Sequence, residues 1–252
     1  MIKKVWSYWD GATRPDIVSK SIDSWHTYLP DWEINILDEE TLVKYNMEKP
    51  ESYDSLTPTT KSDVIRLWFL YKYGGVWMDA SVLLLENFDW LEAYSQWPYY
   101  GFVLWPQGAK LGAGWLPYIE SWFILAPKAG EQFILSWLRT LNSILDTEIY
   151  ENHVAYTKPC QTDNNYFMVY QAFCYEVESK PVYKKMFKDI PFEPAGKYFY
   201  NPLIPFSAHQ RLIKFTNLGR KMYKSVYFPL IYCYFGLIVG IVILAVYTLK
   251  KK

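Results

Sequence analysis

The chain has 252 residues, 51% of them hydrophobic and 19% aromatic, enough for one sizeable core. Its formal net charge of zero hides a division: 17 Lys and Arg stand against 26 Asp and Glu up to Glu193, and nine basic residues without an acidic one follow. Cys160, Cys174 and Cys233 lack metal-type spacing, which excludes a cysteine-rich zinc module, and no nucleic-acid partner is expected.

Short apolar runs alternate with helical patterns along the body, the arrangement of an α/β domain. Lys4–Trp9 reads as a first strand stopped by Asp10-Gly11, followed by a helix from about Pro15 to Tyr28 and a strand over Trp32–Leu37. Asp38-Glu39-Glu40 reads as a helix start, its charges favourable near the dipole. Thr57-Pro58-Thr59-Thr60 supplies cap chemistry for a helix over about Lys61–Tyr73, ended by Gly74-Gly75. Val76–Met78 reads as a short buried strand and Val82–Leu85 as further extended chain. Tyr99–Leu104 and Trp122–Leu125 are strand candidates, and helices are expected near 130–145 and 164–176.

The C-terminal quarter has another character. Leu212, Phe215, Leu218 and Met222 recur at three- or four-residue intervals among Arg211, Lys214, Arg220, Lys221 and Lys224. That spacing predicts a basic amphipathic helix on an anionic membrane face. Phe228 to Leu249 then gives 22 residues without a charge. At about 1.5 Å per residue such a helix covers a hydrocarbon core of about 30 Å. Tyr227, Tyr232, Tyr234 and Tyr247 flank it like interface belts, and three lysines close the chain. The expected division is therefore an α/β domain over 1–200, a basic amphipathic membrane-surface segment over 201–227 and a transmembrane helix over 228–249. The odd cysteine count, with no signal peptide and no glycosylation sequon, predicts reduced thiols. The greater basic excess on the body side predicts a single-pass protein with a cytoplasmic body.

The chemistry concentrates in Lys61-Ser62-Asp63-Val64-Ile65-Arg66 and Tyr73-Gly74-Gly75-Val76-Trp77-Met78-Asp79-Ala80-Ser81. Asp63 and Arg66 share a helix face near its N-terminus, where backbone N–H groups favour anions. Asp79 ends a buried strand, where open α/β sheets bind ligands. Taken singly, Asp63 reads equally as a first-turn charge paired with Arg66, Gly74-Gly75 as a cap and Asp79 as a turn residue. Their joint order carries the reading. His26, His153 and His209 are too scattered for a metal site. Residues 163–167, Asp-Asn-Asn-Tyr-Phe, suit an acceptor sugar or a helix cap.

These blocks resemble the capsular polysaccharide synthesis proteins and the related glycosyltransferases with a D-x-D sugar-binding region. The opening Ile2-Lys3-Lys4-Val5-Trp6-Ser7-Tyr8-Trp9-Asp10-Gly11 is similar to their first strand. Ser24-Trp25, Leu29-Pro30-Asp31-Trp32-Glu33 and Leu37-Asp38-Glu39 are similar to the next block, and Glu120-Ser121-Trp122-Phe123-Ile124 to a later strand. The K-S-D-x-x-R…Y-G-G-V-W-x-D block is the most specific part. The resemblance implies a GT-A-like, Rossmann-type fold, a nucleotide-sugar donor of the UDP type, a divalent cation (Mn²⁺ or Mg²⁺) and retention of anomeric configuration. It implies that Trp9 lies against the base, that Asp63 and Arg66 hold the donor-sugar hydroxyls, that Asp79 engages ribose or metal, and that Ser81 stands at the second metal position. Trp77, Ser121 and Trp122 would complete the donor site, the last two over the diphosphate. The implied acceptor is lipid-linked or a polysaccharide.

Ser81 occupies the second acidic position of D-x-D, and a hydroxyl is a weaker ligand than a carboxylate for a hard cation. That departure keeps open the alternative of a catalytically silent nucleotide-sugar or glycan binder at the membrane.

Overall fold

A computed structural model of the chain describes residues 1–103, 110–111, 114–115, 119–146, 168–200 and 210–216. The first strand, β1 (Lys4–Tyr8), buries Val5 to Tyr8 and lies at the centre of a parallel trio. It pairs in parallel with β2 (Glu33–Leu37) on one side and with β3 (Gly75–Met78) on the other. Beyond β3 the sheet turns antiparallel through β8 (Ile119–Ala126) and β5 (Tyr100–Val103), and the two-residue β9 (Glu193–Pro194) closes the edge. All residues of β3, β5 and β8 are buried, which accounts for their apolar sequence, broken only by Glu120 and Ser121 of β8. Two further strands, β6 (Lys110–Leu111) and β7 (Gly114–Trp115), make a separate ladder.

The helices flank this sheet. In α1 (Asp16–Tyr28), Ile17, Val18, Ser21, Ile22 and Trp25 form the buried stripe that helical spacing predicts. The Trp25 indole donates to the Val82 carbonyl at 2.6 Å, and Ser24 Oγ accepts from the Leu84 N–H at 2.9 Å, so α1 grips β4 (Val82–Leu84). Asp38 and Thr41 form a reciprocal capping box that starts the short α2 (Glu39–Val43).

Helix α3 (Pro58–Tyr73) starts at Thr57, whose hydroxyl accepts from the Thr60 N–H, with Pro58 in the first turn. Its middle, Asp63 to Leu70, is buried without a break. Between α3 and β3 the chain reverses through Gly74 at φ +64° and Gly75 at φ +95°. A Cβ on Gly75 would lie 2.5 Å from the Lys4 carbonyl oxygen, so the reversal requires glycine for space as well as for conformation. Helix α4 (Gln132–Asp146) packs on α3 and on α5 (Met168–Ser179), which in turn packs on α6 (Pro181–Asp189).

Two expectations are corrected here. Leu212–Lys214 is not helical: it forms β10, antiparallel to β4, with Leu212 opposite Leu84 and Lys214 opposite Val82. Leu212, Ile213 and Phe215 are buried, so the apolar spacing serves a sheet edge and a core instead of a membrane-facing stripe. The folded unit therefore runs past residue 200. Cys174 is disulfide-bonded, where a reduced thiol was expected. Among the described residues no helix is long and apolar enough to cross a membrane. The expected span at 228–249, the rest of the basic segment and residues 163–167 lie outside the described residues.

Candidate functional site

The site assembles at the edge where β1 and β3 end. Their parallel register, with Trp6 opposite Trp77, sends Trp9 and Asp79 out of the sheet on the same side. Asp79 is fixed there by its own N–H, which donates to the Trp122 carbonyl of β8 at 2.9 Å. Its carbonyl accepts from the Val82 N–H at 3.0 Å, making the turn that carries Ala80 and Ser81 into β4.

Helix α3 brings the second component. Arg66 is buried, and its Nη2 lies 3.1 Å from Asp63 Oδ1 and 3.4 Å from Asp79 Oδ1. Nη2 also donates to Ser62 Oγ at 3.2 Å. The guanidinium stands 5.2 Å from the centre of the Trp77 ring, whose indole N–H donates to Asp79 Oδ1 at 3.1 Å. Trp77 is completely buried, so it shapes the site from beneath. Arg66 Nη1 is buried with no hydrogen-bond partner among the described residues. An unsatisfied buried guanidinium N–H costs free energy until an acceptor arrives, which marks this side of the cluster for a ligand oxygen.

The third component comes from β10. Lys214 Nζ approaches Asp79 Oδ2 at 2.5 Å and Ser81 Oγ at 3.1 Å, and lies 5.9 Å from the centre of the Trp122 ring. The fourth is α5, where the Tyr170 hydroxyl lies 3.0 Å from Ser121 Oγ and 3.3 Å from Glu120 Oε2.

The electrostatics divide the acids. Burial raises the Asp63 carboxyl to about 7, against the pull of Arg66, and the Asp79 charge adds to the rise. For Asp79 burial acts in the same direction but loses to Lys214 and Arg66, with hydrogen bonds from Lys214 and Trp77, and its carboxyl lies well below the ordinary range. Glu120 is raised to about 7, chiefly by burial, with Lys214 and Tyr170 opposing. One acid is firmly ionised, and two titrate near neutrality.

Of the residues expected from the sequence, the structure brings Asp63, Arg66, Trp77, Asp79, Ser81 and Trp122 into one cluster linked through Arg66 and Lys214, with Ser121 beside Trp122 on β8. Trp9 is half-buried at the neighbouring strand end, its indole donating to the Thr13 carbonyl at 3.2 Å. Lys214, Glu120 and Tyr170 were not singled out as site residues, although Lys214 and Glu120 lay in segments read for other reasons. Nearby, Glu39 does more than begin a helix: it accepts from the Tyr8 and Tyr53 hydroxyls, each at 3.0 Å, and pairs with Lys49 and Lys61 at 3.4 Å.

The donor set does not fit the implied divalent cation. Such an ion prefers several oxygen ligands with negative charge. Here a single carboxylate is already shared by two basic side chains, and the Ser81 hydroxyl faces an ammonium. Among the described residues no three His, Cys, Asp or Glu side chains are grouped to hold a metal.

The chain matches the model of the capsular polysaccharide synthesis protein family over residues 1–228, and it belongs to that family. It is 31% identical over 166 residues to the O-glycosyltransferase braB of Annulohypoxylon truncatum, a match covering 57% of this chain and 38% of that protein. It is 30% identical over 106 residues to the glycosyltransferase afumC of Aspergillus fumigatus, covering 34% of this chain and 26% of that protein. The chain thus spans well under half the length of these curated relatives. Among solved structures it is similar to a glycosyltransferase involved in glycosylation of the major capsid of PBCV-1, at 12% identity and a TM-score of 0.46, covering 90% of this chain and 100% of that one.

Proposed function

We propose that this member of the capsular polysaccharide synthesis family is a GT-A-type glycosyltransferase that moves a sugar from a nucleotide-sugar donor to a lipid-linked or polysaccharide acceptor. The observation that carries the reading is the Asp63–Arg66–Asp79 cluster at the strand ends, with one guanidinium N–H left open. Such a cluster matches a donor sugar, whose hydroxyls need both donors and acceptors, beside a diphosphate that needs positive charge. Arg66 offers its open N–H to a sugar oxygen, and Asp63, which exchanges a proton near neutrality, can accept or donate to a neighbouring hydroxyl. Trp9 offers a flat ring to the base at the same sheet edge. We assign a UDP-type donor and retention of configuration on the same reading.

In this reading the apolar stretch Phe228–Leu249 anchors the body at the cytoplasmic face of a membrane, where a lipid-linked acceptor is presented. Screening the purified full chain against a panel of nucleotide-sugars, with nucleotide release as the readout, tests the function. Turnover of one donor, stimulated by an acceptor glycan, is the expected result. A chain that binds a nucleotide-sugar but never releases nucleotide is the silent binder that Ser81 keeps in view, and binding of no donor removes the reading altogether.

A further inference from the structure

Ser81 leaves the D-x-D position without its second acid, and an ammonium contacts both residues that would have held a cation. We propose that Lys214 takes the place of the divalent cation, so that the chain binds and discharges its donor without metal. The inference rests on the transferase reading above.

Three observations carry it. First, every polar atom that would form the metal site is committed to a positive side chain. Asp79 Oδ2 meets Lys214 Nζ at 2.5 Å, Asp79 Oδ1 faces Arg66 and the Trp77 indole, and Ser81 Oγ lies 3.1 Å from Lys214 Nζ. A divalent ion entering here would have to displace Lys214 and then sit beside Arg66. Second, Lys214 is 11% exposed, whereas its partner Asp79 is 28% exposed, so the pair meets the open side of the site. Third, β10 does not need Lys214 as a fastener. Its ladder to β4, the buried Leu212, Ile213 and Phe215, and the Arg211–Glu193 ion pair at 2.8 Å already hold it. Removing an ammonium from water is costly, and an apolar side chain would secure a strand at lower cost. A largely shielded lysine kept beside the donor site fits a role in charge compensation.

The chemistry needs such a charge. In the transfer, the bond between the anomeric carbon and the β-phosphate oxygen breaks and its electron pair stays on that oxygen. The acceptor hydroxyl oxygen bonds to the same carbon, and its proton passes to the departing phosphate. Negative charge therefore builds on the diphosphate before the proton arrives, and a cation poised there stabilises it. Lys214, on a flexible four-carbon stem, can exchange Asp79 for a phosphate oxygen without moving the backbone.

The test uses the full chain in detergent, treated with chelator, with UDP, GDP and dTDP as probes in calorimetry. Unmodified chain is expected to bind one of these diphosphates with a Kd that changes less than twofold on adding Mn²⁺. Lys214→Ala should weaken that diphosphate at least tenfold and leave the corresponding nucleoside, which lacks phosphate, unchanged. Lys214→Arg should retain most of the affinity, and it replaces the alanine variant if that one does not fold. Binding that chelator abolishes and Mn²⁺ restores overturns the inference and leaves the transferase reading standing. So does a folded Lys214→Ala chain with wild-type affinity. If no diphosphate binds with or without Mn²⁺, the transferase reading falls and takes the inference with it.

Discussion

Glu193 and Asp79 are both gripped by basic residues on or beside β10, and they differ in how completely their surroundings are paired. Glu193 accepts from the Tyr198 hydroxyl at 2.8 Å, the Tyr94 hydroxyl at 3.1 Å and Arg211 Nη1 at 2.8 Å, with Lys197 as a further partner. Hydrogen bonding from Lys197 and Tyr198 and the nearby Lys197 and Arg211 charges outweigh the effect of burial and lower its carboxyl to about 2. Around Asp79 the balance is incomplete: Arg66 keeps an open buried N–H, and Asp63 is held near neutrality. A satisfied hub clamps, whereas an unsatisfied one waits for a ligand. Arg211 and Lys214, three residues apart, serve the two purposes on one short stretch of chain.

The harshest test of this contrast is deletion. Ending the chain after Tyr200 removes β10, both cations and three buried apolar side chains, each worth about 1.5–3 kcal/mol. The product should be insoluble or lack a cooperative melt, whereas a chain ended after Thr216 should melt cooperatively. A stable body from the shorter chain would mean that β10 is dispensable.

Asp79→Asn should abolish most turnover. Losing the carboxylate releases Arg66 and Lys214 from the partner that positions them, and misplacing charges preorganised for the departing diphosphate costs about 3–4 kcal/mol, a factor of roughly 10²–10³ in nucleotide release. Its circular dichroism should stay native, and near-wild-type turnover in the folded variant would remove Asp79 from the chemistry.

Glu193→Gln should act on stability first, by about 1 kcal/mol, because a half-buried network loses its negative charge and one of its two acceptor oxygens. Its sign with pH follows from the lowered carboxyl. An unfolded Glu titrates near 4.3, so the clamp's contribution is present above that pH and is lost as pH falls toward about 2. Melting curves at pH 6 and pH 3 should show the variant's deficit shrinking in acid.

Asp63 gives the opposite sign. An unfolded Asp ionises near 3.9, while the folded group holds its proton to about 7, so stability falls as pH rises through that window. Asp63→Asn should keep at pH 8 the part of its pH 5 stability that the unmodified chain loses through this group. Equal pH dependence in the two chains would contradict the raised carboxyl.

Ser81→Ala is expected to be mildest. It removes one hydrogen bond to Lys214, worth about 1 kcal/mol, and should cost several-fold in turnover with the fold intact. A loss as deep as that of Asp79→Asn would give Ser81 a larger part than its geometry supports.

Much of the fold was legible because its elements are locally encoded. The stripe from Ile17 to Trp25, the cap at Thr57 and the paired glycines before Val76 each leave a pattern within a few residues. Asp63 and Arg66 were legible as a pair for the same reason, since three residues along a helix bring side chains to one face. Asp79 followed from its place at the end of a buried strand.

Lys214 was beyond such reading. It is 135 residues from Asp79 in the chain, and a three-residue strand is too short to display a period of two. The same leucine and phenylalanine spacing read as a helix, because nothing local discloses that β4 has an open edge waiting for Leu212–Lys214. The acids show the same limit. Sequence gives Asp63 and Asp79 the same carboxyl chemistry, but only the packing gives Asp79 a second cation and leaves Asp63 to share Arg66. Periodicity and capping act over a few residues, so the sequence by itself determined the α/β layering and the motif that builds the crevice. Charge balance acts through space, so only the tertiary structure decided which acid stays ionised and which distant lysine stands beside it.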